Sequence, residues 1–312
     1  MEKKEVARPD WAKLFESILT EPGRLGDYYN AFHNYSLGNQ ALAMDQMHER
    51  RIPISPIASF NAWKEKGRSV MKGQRAIALW MPVTIKGKPA EGEAPASAKE
   101  TREEGKPDKR IFVMRNNWFA FAQTQPDPHS DVPCESLPPA PKFVWNKVLA
   151  LETLGITERP FSHVNGNCQG LAWTQKQQIA INPMAGMPHK TVFHELAHCL
   201  LHAGKDDEDE VACASELSKD LKEAEAESTA FLCCAALGLP GLQEARGYVQ
   251  SWLSSKSSRE AFQKSAGRVF RAADRILKAG IVEQEQSDPD VASSTQLPET
   301  EAVLEGQGML FA

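Results

Sequence analysis

No apolar run in the 312-residue sequence approaches membrane length, and the first ten residues, MEKKEVARPD, lack the apolar core of a secretory signal. These two absences set aside a membrane span and export, and a cytoplasmic protein is expected. The six cysteines, at positions 134, 168, 199, 213, 233 and 234, form no Cys-x-x-Cys pair and no disulfide-framework spacing, so they are read as free thiols of a reducing compartment. Large apolar side chains are almost missing from residues 86–110, where a disordered loop is expected, and residues 284–312 are polar and acidic, as in a flexible tail. Net charge is also low, at −5, but it hides an asymmetry. Residues 1–150 hold 22 Lys and Arg against 18 Asp and Glu, whereas residues 151–312 hold 14 against 23, so the two halves are expected to face different partners.

What remains is ample for folding. A hydrophobic content of 41% over this length supports two domains, each with a sizeable core. Trp11, Leu14, Phe15, Ile18 and Leu19 have helical spacing, Pro22-Gly23 is read as the stop, and a second helical stretch is expected from Tyr28 to Glu49. Ile77–Ile85 and Ile111–Phe121 read as hairpin partners of a small sheet on either side of the polar loop. Residues 125–142 carry six prolines and are read as an interdomain linker. Beyond it, Trp145–Leu154 reads as helix, Leu171–Asn182 as one edge strand, and Leu221–Gly238, Arg246–Leu253 and Ala261–Ile281 as helices. The expected division is therefore 1–124, linker 125–142, 143–283 and tail 284–312.

Between strand and helix stands TVFHELAHCLLH, residues 191–202. His194 and His198 are four apart, which on a helix places them on one face about 6 Å apart along the axis, close enough to converge on one ion. Glu195 can then serve as general base toward the attacking water. Val192, Phe193, Leu196, Ala197, Leu200 and Leu201 surround the polar triplet, which implies a buried helix whose His and Glu need partners. A catalytic zinc wants a third protein ligand. His202 would stand about 12 Å along the axis from His194 and is read as a helix-end or packing residue. Two glutamates in the run Leu221–Gly238, Glu223 and Glu227, are the competing candidates.

In the N-terminal half, Arg50, Arg51, Lys64, Lys66, Arg68, Lys72 and Arg75 face only Glu65 within 26 residues, with Trp63 among them. Cations that track phosphates and a ring that stacks on bases make a single-stranded nucleic-acid surface, with Trp63, Lys64, Arg68, Lys72 and Arg75 as its residues. A solvated helix carrying a core Trp has the same composition, and charge alone does not choose between them.

Three segments in order, AWKEKGRSVMKGQRAIALWMPV, the strand ending FAFAQTQP, and NCQGLAWTQKQQIAINPMAGMPHKTVFHELAHCLLH, resemble the ArdC-type antirestriction proteins of conjugative plasmids over roughly Pro9 to Ala279. The resemblance implies a single-stranded-DNA-binding domain followed by a zincin-like metallopeptidase domain that shields incoming plasmid or phage DNA from host restriction. Within it EAESTAF resembles the stretch that carries a glutamate ligand, which places the third zinc position on Glu227. The expected fold is α+β, a small-sheet DNA-binding domain followed by a helix-rich metallopeptidase domain. Zinc on His194, His198 and Glu227 with Glu195 as base is the expected peptidase site; His189 and Tyr248 are polar suspects for oxyanion contacts. A DNA-coating protein with a purely structural metal is the alternative. The last residues, Gln307, Leu310 and Phe311, fit the Gln-x-x-Leu-Phe peptide with which bacterial replication proteins dock on a sliding clamp, an expectation for a partner at the tail.

Overall fold

The computed structural model describes residues 10–32, 34–85, 109–134, 143–162, 167–203, 219–252 and 255–283. Residues 86–108 of the polar loop, 135–142 of the Pro-rich segment and the tail, with the clamp-like peptide on it, lie outside these residues. The architecture is α+β, with small sheets and a helix-rich C-terminal part.

The chain opens with three helices, α1 (Trp11–Thr20), α2 (Pro22–Phe32) and α3 (Leu37–Glu49). Pro22 begins α2 instead of ending α1, because the first position of a helix needs no backbone donor. The expected stretch from Tyr28 to Glu49 is likewise two helices, and Ser36 caps the second by accepting from the Asn39 backbone N–H. Next come β1 (Ile57–Ser59), α4 (Phe60–Glu65), β2 (Arg68–Val70), β3 (Ile77–Ile85), β4 (Lys109–Ala120) and β5 (Thr124–Pro126). β3 and β4 pair antiparallel with Ile85 opposite Lys109, as the alternating runs predict, and β1 adds on the other side of β4 in the order β1-β4-β3. The outer edge of β3 is covered by α3. Asn39 exchanges two 2.9 Å hydrogen bonds with the Trp80 backbone and Gln46 two with Ala78, so amide side chains stand in for a further strand.

The C-terminal part follows as β6 (Phe143–Trp145), α5 (Lys147–Leu154), β7 (Thr157–Glu158), β8 (Gly170–Trp173), β9 (Gln178–Ile181), α6 (Pro188–Leu201), α7 (Lys219–Leu237), α8 (Leu242–Trp252), α9 (Lys256–Gly280) and β10 (Ile281–Glu283). The expected single strand 171–182 is a hairpin: β8 and β9 pair antiparallel, and Gln177 takes a left-handed φ of 50° to turn the chain between them. The sheet order β7-β9-β8 leaves β8 at its edge, against α6.

The first helices share a core with the last ones. The Phe15 ring lies 5.9, 5.0 and 6.4 Å from those of Phe231, Phe262 and Phe270, and Trp11 lies 5.3 Å from Phe270. A Cβ on Gly26 would come within 3.2 Å of the Ala235 carbonyl oxygen, so α2 and α7 approach through small residues. Burying Phe15, Ile18, Phe193, Phe231 and Phe262 contributes about 1.5–3 kcal/mol each. The helix bearing the His pair is thereby fixed in a well-packed interior.

Candidate functional site

α6 starts at Pro188 and runs to Leu201, with His202 as its C-cap. Its apolar side, Val192, Phe193, Leu196 and Ala197, is buried in the core, and Phe193 packs edge-on against Trp145 at 4.6 Å. That packing sets the roll of the helix and brings His194 and His198 to its opposite face. α7 crosses beside it and supplies the carboxylates.

The two imidazoles converge, with their Nε2 atoms 3.1 Å apart. The carboxylate that meets them belongs to Glu223, whose oxygens lie 3.4 Å from His194 Nε2 and 3.6 Å from His198 Nε2. A tetrahedral ion bound at about 2.0–2.1 Å separates its ligand atoms by roughly 3.4 Å, so the three side chains fit a divalent metal. They are also the group of metal-type donors that stands out among the described residues. Glu227, the residue placed in the third position by resemblance, sits one helical turn away. One of its oxygens is 3.2 Å from His194 Nδ1, the nitrogen facing away from the convergence point, and the other pairs with Lys190 Nζ at 2.5 Å. Glu223 and Glu227 differ by four residues on one face, and only the placement of α7 decides which of them reaches the Nε2 side.

The electrostatics follow from this crowding. Burial pulls the His194 pKa down, but hydrogen bonds to Glu223 and Glu227 outweigh it and lift the imidazole to about 9. Bonds from His194 and His198 hold Glu223 far below the usual carboxylate range. These shifts mean that a positive charge is wanted between the side chains; a proton on His194 supplies it in the metal-free site, and a divalent ion would supply more. Glu195 is 7% exposed, and burial raises its pKa while the neighbouring His194 and His198 pull it back. A Cβ on Gly170 of β8 would stand 2.6 Å from a Glu195 carboxylate oxygen, so the edge strand lies directly against that carboxylate, and glycine is what permits it.

Behind the His pair stands a layer that sequence reasoning did not find. His202 is indeed a buried helix-end residue, but it bonds through Nδ1 to His198 Nδ1 at 3.0 Å and through Nε2 to Glu225 at 2.9 Å. Arg268 of α9 pairs with Glu225 at 2.6 Å. Burial alone would raise the Glu225 pKa; the bonds with His202 and Arg268 hold it down. His189 is exposed, and the side chain of Tyr248 lies outside the described residues.

In the N-terminal region the basic segment divides. Trp63 is 3% exposed, its Nε1–H donates to the Phe119 carbonyl oxygen at 2.8 Å, and its ring packs edge-on to Phe121 at 6.0 Å. Arg68 is buried as well, donating to the Thr124 hydroxyl at 2.8 Å and the Thr124 carbonyl at 3.1 Å, with its guanidinium 3.8 Å over the Phe121 ring. These two residues hold the corner of α4, β2 and β5 and offer no face to a ligand in this conformation. Lys64, Lys66, Lys72 and Arg75 are exposed. The open ring on α4 is Phe60, 40% exposed, with Lys64 Nζ 5.7 Å from its centroid.

Residues 6–119 match the family model described as the N-terminal domain of anti-restriction factor ArdC. Two solved structures are similar to this chain, both of the antirestriction ArdC protein from plasmid R388. The metal-free form is 19% identical with a TM-score of 0.45, covering 86% of this chain and 94% of its own. The Mn(II)-bound form is 19% identical with a TM-score of 0.47, covering 93% and 100%. No curated protein matches the chain. No described helix is long and apolar enough to cross a membrane.

Proposed function

With an ArdC-type N-terminal domain over residues 6–119 as the premise, we propose that this chain is an antirestriction protein that binds single-stranded DNA and carries a metallopeptidase-like site on α6 and α7. His194, His198 and Glu223 would hold one divalent ion, with zinc expected and other divalent transition metals as competitors. When bound, such an ion supplies Lewis-acid chemistry, polarising a carbonyl and acidifying water. The chain's own residues do the rest. Glu195, kept from solvent beside β8, accepts the proton of the attacking water and can return it to the leaving amine. The edge of β8 can orient an extended peptide beside that carboxylate. Glu227, anchored by Lys190, fixes the His194 ring through Nδ1.

The observation that carries this reading is the combination of an open ligand set with an adjacent base. The Glu223 side chain is 39% exposed, so the convergence point is reached from solvent, whereas a purely structural zinc is closed by four ligands and needs no neighbouring Glu195. For DNA, the exposed Lys64, Lys66, Lys72 and Arg75 supply phosphate contacts, and Phe60 is the ring on α4 open to a base. The test is protection of transferred DNA by a Glu195→Gln chain, which keeps every ligand. Loss of protection with metal content and DNA binding retained supports the peptidase reading; full protection would assign the function to DNA coating alone.

A further inference from the structure

The polar cluster that the ligand set leaves unexplained runs through three helices. The side chains of His202, Glu225 and Arg268 are 4%, 0% and 13% exposed and form one line ending on His198. Burying charged groups costs several kcal/mol per ion unless each is well bonded, so a line of this depth calls for a purpose. Its donor and acceptor count supplies one. If His198 gives its Nε2 lone pair to an ion, Nδ1 must carry the ring proton and donate it, 3.0 Å away, to His202 Nδ1. His202 then carries its own proton on Nε2 and donates it to Glu225 at 2.9 Å, while the other Glu225 oxygen accepts from Arg268 at 2.6 Å. Every group in the line is satisfied in that one direction. The protons are assigned from the network of heavy atoms.

We infer that His202, backed by Glu225 and Arg268, is a positioning residue that fixes the ring and tautomer of His198 for metal binding. The inference rests on the metal-site reading above. It makes the two His ligands symmetrical: Glu227 and Lys190 hold His194, and His202, Glu225 and Arg268 hold His198. It also explains why a histidine follows the motif at a spacing that cannot reach the ion itself.

The test uses the full chain and zinc alone, with affinity measured by competition against a chromophoric chelator. His202→Phe keeps a planar aromatic ring, slightly larger than imidazole, and removes both hydrogen bonds; His202→Gln keeps an acceptor and a donor. The Phe variant should bind zinc about 10–100-fold more weakly, the usual cost of removing an outer partner, and the Gln variant should recover most of the loss. Thermal midpoints of the metal-free variants separate this effect from a general loss of fold. Equal affinities for the two variants, whether unchanged or both reduced, would overturn the inference. A readout on the unmodified chain covers the case in which a variant does not fold. In the zinc-loaded protein, imidazole 15N shifts should show His198 protonated on Nδ1 and His202 on Nε2, and the opposite His202 tautomer overturns it too. An unmodified chain that binds no zinc sinks the metal-site reading and this inference together, an outcome distinct from loss of the relay alone.

Discussion

Replacing Trp63 by Ala separates a DNA-contact role from a structural one more sharply than any other single change in the N-terminal region. The indole is 3% exposed, donates to the Phe119 carbonyl and packs on Phe121, the same ring that takes the Arg68 guanidinium. Truncating a buried Trp to Ala costs about 3–5 kcal/mol, and the orphaned carbonyl adds about 1–3 kcal/mol if water cannot reach it. Against a total stability of about 5–15 kcal/mol, that loss is enough to unfold the corner of α4, β2 and β5. Urea unfolding followed by near-ultraviolet circular dichroism should give a much lower midpoint for Trp63→Ala. Trp63→Phe, which keeps a six-membered ring but loses the N–H and the rest of the indole's five-membered ring, should lose less stability than Trp63→Ala, stay folded and bind single-stranded DNA as the unmodified chain does. A Trp63→Ala chain with an unchanged midpoint and weakened DNA binding would refute the reasoning, because the ring would then be free to stack.

Binding to single strands should fall linearly with the logarithm of salt concentration on a double-logarithmic plot, and Lys64→Ala, Lys72→Ala and Arg75→Ala should each reduce the slope by about 0.7. A salt-independent affinity would remove the phosphate contacts from the account. The metal-free protein should lose stability from neutral to alkaline pH. The folded His194 pKa, raised from 6.5 to about 9, contributes stability that is fully present below 6.5 and is lost as pH rises through 9. Thermal midpoints across that window check it; with zinc bound, the imidazole holds the ion instead of the proton, and the slope should flatten.

Much of this arrangement is legible in the residues because local pattern and tertiary need agree there. The hairpin of β3 and β4 follows from two alternating runs, and α6 from a His-Glu-x-x-His motif set in apolar residues. Where they part, a local signal has two physical meanings. Pro22 can end one helix or begin the next, and here it begins α2. Gln177 turns the β8–β9 hairpin at a left-handed φ without the glycine that would have announced it. Trp63 and Arg68 have the composition of a nucleic-acid surface, and only the packing of α4 on β4 and the pairing of β2 with β5 turn them inward. Glu223 and Glu227 share one helical face, so the choice between them rests on how α7 lies across α6, a long-range property that helical spacing does not encode. The line through His202, Glu225 and Arg268 joins three helices far apart in sequence and was hidden for the same reason.

The central claim is that His194, His198 and Glu223 together hold one ion, and the most direct measurement is metal content by mass spectrometry after chelation, reloading with zinc and desalting. About one zinc per unmodified chain is expected. Glu223→Ala and His194→Ala should lose it, and Glu227→Ala should keep the ion with weaker affinity by about 10–100-fold. An unmodified chain that stays metal-free, or a Glu223→Ala chain that keeps its zinc while Glu227→Ala does not, would contradict it.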